Sequence, residues 1–267
     1  MRRWGLEALG AWLLGAMWIL PLAWALWSAI HPPSSTQSFG LFSPLTLRNF
    51  ATAWGMAPFG RSMVNTVVLV SIVLAAQFVL CTPAAFAFAR LRFPGRDFVF
   101  AIVLVQLMVA PEVLMVENFR TIGALDLVNS LFGIALPYLG SAFGIFLLRQ
   151  AFRTVPEELD AAARIEGLSL RQRLWKLYLP MARPTYIAYG LVLVSFHWNN
   201  FLWPLVITNS VGIRPITVQL AMFSTTDQGT NWSIITAATL LSTAPLVIAF
   251  LLFQRQFVQS FMRARAQ

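Results

Sequence analysis

A lone cysteine, Cys81, leaves this chain without an internal disulfide or a thiolate metal cluster. Its two histidines, His31 and His197, have no cysteine or carboxylate neighbours at metal-ligand spacing. No phosphate-binding loop of the GxxxxGKS/T kind occurs, so the chain has no nucleotide-hydrolysing signature of its own. Charge is scarce as well: 11% of residues are charged, against roughly 25% in an average soluble domain. Acidic residues number 10 against 19 basic ones, yet no basic segment is large enough to fold around a duplex, which excludes nucleic acid as a partner. No nucleophile is paired with a base or with metal ligands in facing apolar segments, which argues against an intramembrane enzyme. Low-complexity tracts and short repeats are missing too, so residues 1–267 are read as a single membrane domain.

What the chain does have is long apolar runs. Hydrophobic residues make up 58%, and the mean hydropathy is +0.70. A helix crosses a bilayer with about 20 mostly apolar residues, and six runs qualify: about 8–30, 64–88, 98–117, 131–150, 183–207 and 232–254. In the third, Pro111 and Glu112 fall near the outer end. The first follows Arg2 and Arg3 but is longer than a signal-peptide core and lacks a clean small-residue cleavage site, so it is read as a retained span. Basic residues collect in short cytoplasmic loops. With the N-terminus inside, that side gathers Arg2, Arg3, Arg90, Arg92, Arg96, Arg149, Arg153, Arg164, Arg171, Arg173, Lys176, Arg183, Arg255, Arg263 and Arg265, and only Arg48, Arg61, Arg120 and Arg214 stay outside. Both termini and the 151–182 loop are therefore placed in the cytoplasm. The net charge of +9 is explained by orientation and by anionic membrane lipid.

The segment Thr154 to Pro180 is charged and helix-forming, set between two apolar runs. Thr154 followed by Glu157 reads as a capping box, with Pro156 in the first helical turn. Gly167 supplies the left-handed residue that ends the first helix. Ser169 with Gln172 forms a second capping box, and Leu170, Leu174, Leu177 and Tyr178 give an apolar face to a second short helix that Pro180 stops. The reading is helix, glycine turn, helix.

These residues carry a family resemblance. Ala161, Ala162 and Ala163, then Gly167, Leu177, Leu179 and Pro180, have the spacing of the EAA loop of ABC importer permeases, E-A-A-x3-G-x9-I-x-L-P. Two positions depart: Ala161 stands at the glutamate, with Asp160 just before it, and Leu177 at the isoleucine. The segments Gly144 to Ala162 and Trp198 to Ser210 resemble the second permease subunit of the carbohydrate and glycerol-3-phosphate branch. The resemblance implies an all-α polytopic membrane protein with six transmembrane helices and a cytoplasmic helix-turn-helix coupling loop between helices 4 and 5. It further implies a bacterial or archaeal inner-membrane transport subunit that is not itself an enzyme and binds no cofactor. ATP and Mg2+ would sit on two separate ATPase subunits, a second homologous permease would complete the pathway, and an extracytoplasmic solute-binding protein would deliver a sugar or oligosaccharide. Glycerol-3-phosphate or another polyol derivative is the alternative cargo. Glu157, Glu158, Asp160, Ala161, Ala162, Ala163, Gly167, Leu177, Leu179 and Pro180 are the expected ATPase-coupling residues.

In the fifth run, His197, Trp198, Asn199 and Asn200 interrupt the apolar sequence, and Trp203 and Pro204 follow. Polar groups at that depth are costly unless they meet a partner or a water-filled path. Trp198, Asn199, Asn200 and Trp203 are candidate pathway residues, since amide and indole suit a polyol or sugar. An interfacial aromatic belt with interhelical amide bonds explains them equally well, and His197 reads as structural. Glu112, Glu117 and Asn118 either line a pathway mouth or reach headgroup water, the second being the default. Gly140 and Gly144 form a GxxxG on the fourth run that suits close helix approach. Pro32 to Arg61 and Asn209 to Asn231 are polar outer segments that would meet a receptor or merely connect spans. A secondary carrier driven by an ion gradient is the competing class, but it needs ionisable groups deep in the spans, where only His197 and Glu112 come close.

Overall fold

Helices account for nearly all of the structure, a computed structural model that describes residues 2–38, 43–222 and 231–265; no strand occurs among them. The side chains of Arg2, Arg3, Arg255, Arg263 and Arg265, and residues 223–230 of the second outer segment, lie outside the described part. In chain order the helices are α1 (Arg2–Ala29), α2 (Pro33–Ser38), α3 (Arg48–Gly55), α4 (Phe59–Arg90), α5 (Arg96–Val105), α6 (Met115–Ala124), α7 (Leu131–Ala135), α8 (Ala142–Arg153), α9 (Glu157–Ile165), α10 (Leu170–Arg173), α11 (Leu179–Met181), α12 (Arg183–Trp198), α13 (Leu202–Ile207), α14 (Ile216–Ala221) and α15 (Trp232–Arg265). The long apolar ones, within α1, α4 and α15, are each sufficient to cross a bilayer.

The other apolar runs are broken. The third is two pieces, Arg96–Met108 and Pro111–Ala124, bent by 91°. Ala110, held extended at φ −65°, ψ 133° before a proline, cannot continue the helix, and Pro111 has no N–H to offer it. The fourth bends by 51° between Leu131–Tyr138 and Ala142–Arg153. There Ser141, extended at φ −141°, starts α8 afresh, its hydroxyl accepting the Gly144 N–H at 3.1 Å. The fifth is not one rod from 183 to 207: α12 covers 16 residues and stops at Trp198, and α13 begins at Leu202. The Asn199 side chain donates to the Ser195 carbonyl at 2.8 Å, capping the last turn of α12.

The chain divides into two compact units, one of residues 1–63 and 215–245, the other of 64–214 and 246–267. In the first, buried Asn49 on α3 donates to the carbonyls of Ala29 and His31, both at 2.8 Å, holding the C-terminal end of α1. Thr36 and Ser233 share a 2.7 Å hydroxyl pair, and His31 stacks on Trp27 at 4.6 Å.

The second unit holds two apolar cores. One gathers Leu69, Val73, Ile122, Ile134, Tyr189, Leu193, Trp203 and Ile207; the other Cys81, Phe86, Leu148, Phe152, Val155 and Tyr178. Between them α8 meets α12 at Gly144, where a Cβ would lie 2.2 Å from the Tyr189 hydroxyl. The expected close approach thus occurs within the chain and at one glycine of the pair, because Gly140 falls in the bend and has nothing within 4 Å.

Replacing Asn49 with Ala removes both donors and leaves two carbonyls unmet. The expected cost is about 1–3 kcal/mol, or about 2–10 °C in the Tm of the detergent-purified chain; an unchanged Tm would show that water replaces the amide.

Candidate functional site

Two arrangements stand out in the second unit, a charged hairpin and a polar cavity. The hairpin runs from Val155 to Ala182. Gly167 adopts φ +77° in open space and reverses the chain, and Ser169 with Gln172 makes the expected reciprocal box, Ser169 N–H donating to Gln172 Oε1 at 2.8 Å. The box expected at Thr154 does not form. Thr154 instead closes α8, its N–H given to the Gln150 carbonyl at 3.3 Å and its hydroxyl to Ala151 at 2.8 Å, which leaves Pro156 to start α9. Nor does Pro180 stop the second helix. A π-turn at Leu174–Tyr178 widens the backbone ahead of it, and the proline is carried in α11, which ends at Met181.

Asp160 organises the hairpin interior. Its side chain is 6% exposed, and Arg173, 8% exposed, donates to it at 2.8 and 3.1 Å from α10. Arg164, on the open surface, adds donors at 3.0 and 2.7 Å. The Tyr178 phenol, wholly buried, lies beside the same carboxylate, outside hydrogen-bonding geometry. Burial pushes the Asp160 carboxyl up, but the Arg164 and Arg173 guanidiniums that donate to it outweigh burial and hold it below the ordinary range. Burial and the facing carboxylate raise Tyr178 to about 12.

Arg90, the last residue of α4, joins this hairpin to a long helix. Its guanidinium donates to the Phe152 carbonyl at 2.8 Å and to the Val155 carbonyl, and lies over the Tyr178 ring at 5.2 Å. Arg149 likewise donates to the Phe88 carbonyl at 3.2 Å and covers the Phe100 ring at 4.0 Å. Both were read from the sequence only as orienting charges. Of the expected coupling residues, Glu157, Glu158, Ala161, Ala162, Gly167 and Pro180 are exposed, Ala163, Leu177 and Leu179 are half-buried, and Asp160 is buried in its ion pairs.

The cavity, of about 380 Å³, lies where the three broken runs meet and is lined by residues from all three breaks. Gln77 of α4 holds one wall, donating to the Tyr138 carbonyl at 2.7 Å and accepting from the Tyr189 hydroxyl. Buried His197 packs edge-on against Tyr138 at 4.9 Å and Phe196 at 5.1 Å. Asn200 and Trp203 line the cavity as the sequence suggested, although the Trp203 indole is buried and already donates to the Ile134 carbonyl at 3.1 Å. Trp198 is buried and Asn199 exposed, and neither is a lining residue. Glu112 and Asn118 line it, whereas Glu117 pairs with Arg120 at 3.1 Å. Gln77 was missed, one amide in a long apolar helix being indistinguishable by pattern from a lipid-facing one; the only signal was its expense at that depth.

Residues 81–263 match the family of binding-protein-dependent transport system inner membrane components. This chain belongs to that family. As a permease it is 30% identical over 255 residues, 90% of its own length and 91% of the other, to the sn-glycerol-3-phosphate transport system permease protein UgpE of Yersinia pestis bv. Antiqua. To the lactose transport system permease protein LacG of Rhizobium radiobacter it is 32% identical over 198 residues, covering 74% and 72%. Its fold matches a chain of a bacterial ABC transporter involved in the import of the acidic polysaccharide alginate, with TM-score 0.84 at 21% identity over 94% and 96% of the two chains. The permease is thus a multi-pass inner-membrane transport component.

Removing the Asp160 charge strands Arg173. Asp160→Asn is expected to cost about 3–5 kcal/mol and to speed amide exchange across 157–178 by about a hundredfold or more, while Arg164→Ala at the exposed pair costs about 1 kcal/mol or less. Because the folded-state value is depressed, the stabilisation is complete above the ordinary Asp value of about 3.9 and is lost as pH falls through the lower folded value. Exchange protection in the wild-type hairpin should therefore persist at pH 4; its loss above pH 5 would contradict the buried pairing.

Proposed function

We propose that this chain is one of two permease subunits of an ABC importer for a carbohydrate, with two ATPase subunits docked on the 154–180 hairpin and an extracytoplasmic solute-binding protein supplying the cargo. The observation that carries the reading is the likeness over most of the chain to permeases of the glycerol-3-phosphate and lactose systems. The excess of Lys and Arg in the loops between spans supports cytoplasmic termini and a cytoplasmic hairpin. ATP and Mg2+ belong, on this reading, to the partner chains.

The hairpin is suited to transmit force because it is stiff inside and anchored outside. Asp160 and Arg173 lock α9 to α10, and Arg90 fixes the hairpin's entry to α4. Ala182 alone separates its exit from α12. A displacement imposed by a closing ATPase pair would then reach two helices that line the cavity. With Asp160 committed inward, Glu157, Glu158 and Glu166 remain as the exposed acids for the ATPase contact, together with apolar Ile165 and Trp175. Glycerol-3-phosphate is the second reading, favoured by the named relative that covers more of the chain.

Two experiments test this. Gentle purification of the tagged chain from its native membrane should bring down a second permease and an ATPase in stoichiometric amount, as identified by mass spectrometry; a chain that runs alone and transports without nucleotide would refute the importer. In the reconstituted complex, Gly167→Val forces a β-branched residue into the left-handed region at about 1–2 kcal/mol and is expected to lower solute imported per ATP by about tenfold. Unchanged transport would remove Gly167 from the coupling path.

A further inference from the structure

The cavity at the three breaks is lined by polar side chains that the fold does not use, exposed at Gln106 and Glu112, half-buried at Asn118 and buried at His197. The side chains of Gln106, Glu112, Asn118 and His197 all line it, and none forms a hydrogen bond or an ion pair among the described residues. His197 is the most telling, being 6% exposed. An imidazole buried to that extent without a partner is costly, and its one polar outlet is the cavity it lines. Glu112 is the sole carboxylate among the lining residues, and no Lys or Arg is among them.

We propose that this cavity is a subsite for a neutral saccharide and that Glu112 makes it reject anionic cargo. The inference rests on the importer reading above and narrows its substrate class. A carboxylate, two amides and an imidazole offer acceptors and donors in the mixture that vicinal hydroxyls satisfy, each hydroxyl giving one proton and accepting others. Tyr138 and Phe196 supply apolar ring faces beside them, as a sugar's C–H surface requires. The volume of about 380 Å³ lies in the range of small-ligand pockets, about 300–1,000 Å³. A phosphate or uronate would enter a site that presents the Glu112 carboxylate and no Lys or Arg to answer the ligand's own charge.

The test uses the complete importer, both permeases with ATPases and receptor, in proteoliposomes. Uptake is measured for glucose, lactose and maltotriose, and for sn-glycerol-3-phosphate, glucose 6-phosphate and glucuronate. Wild type is expected to import a neutral member. Glu112→Gln and Asn118→Ala are each expected to lower the neutral sugar imported per ATP by about tenfold, with co-purification of the ATPases as the check on assembly. His197→Asn, which keeps a donor and an acceptor, should lose less than His197→Phe. Neutral uptake within twofold of wild type in all four variants overturns the subsite and leaves the importer intact. Uptake confined to anions overturns the neutral class alone. ATP-dependent uptake of no member overturns the carbohydrate reading together with the subsite.

Discussion

Inside a bilayer every backbone N–H and C=O must be satisfied by protein, because no water is at hand. That constraint governs this chain wherever a helix stops short of the membrane's width. The breaks free carbonyls and amides, and in the fourth and fifth runs side chains meet them from within: Ser141 accepts the Gly144 N–H, Gln77 donates to the Tyr138 carbonyl, Trp203 to the Ile134 carbonyl and Asn199 to the Ser195 carbonyl. The groups used for this purpose are two amides and an indole that donate and a hydroxyl that accepts, set among apolar neighbours. Because non-helical backbone is tolerated at depth only where protein buries it or where it lines a cavity, the breaks and the cavity belong together.

The same logic separates what pattern could reveal from what it could not. Pro111 announced trouble in the third run because proline acts through its own missing N–H, a local property. Gly167 and the Ser169–Gln172 box were legible for the same reason: their chemistry is complete within four residues. The stop at Trp198 was not, since nothing within α12 ends it until the Asn199 side chain turns back, and the residues there read equally well as lining or as interfacial belt. Thr154 failed as a cap because its N–H was already given to Gln150, an outcome fixed by where α8 ends rather than by the Thr-to-Glu spacing. Gln77 and Arg90 were silent because their partners lie about 60 residues along the chain.

Charge is used sparingly and twice over. The excess of arginine that orients a membrane chain also supplies its clamps, for Arg90 and Arg149 each hold a carbonyl of another segment while covering an aromatic ring. Arginine suits this because its planar fork meets several acceptors at once and is weakly hydrated. In the hairpin the arrangement closes on Asp160, whose neighbour Ala161 stands where the loop motif has its glutamate. A carboxylate held between Arg164 and Arg173 is spent on internal order, so the acid that faces outward must come from elsewhere in the segment.

One helix connects the two arrangements. Gln77, which fixes the cavity wall through Tyr138, and Arg90, which fixes the hairpin entry, are both on α4, thirteen residues apart, about 20 Å along the axis. Each holds a backbone carbonyl besides its side-chain contact, Tyr189 at Gln77 and Tyr178 at Arg90, so each is tied to the position of a whole segment. On the proposed reading a displacement at the hairpin would be carried along this helix to the cavity wall, and a solute that fills the cavity would bear on the same wall. In the proposed importer this makes coupling a matter of leverage along one helix, with selectivity left to lining side chains such as Glu112 and Asn118, which hold no backbone group of the breaks.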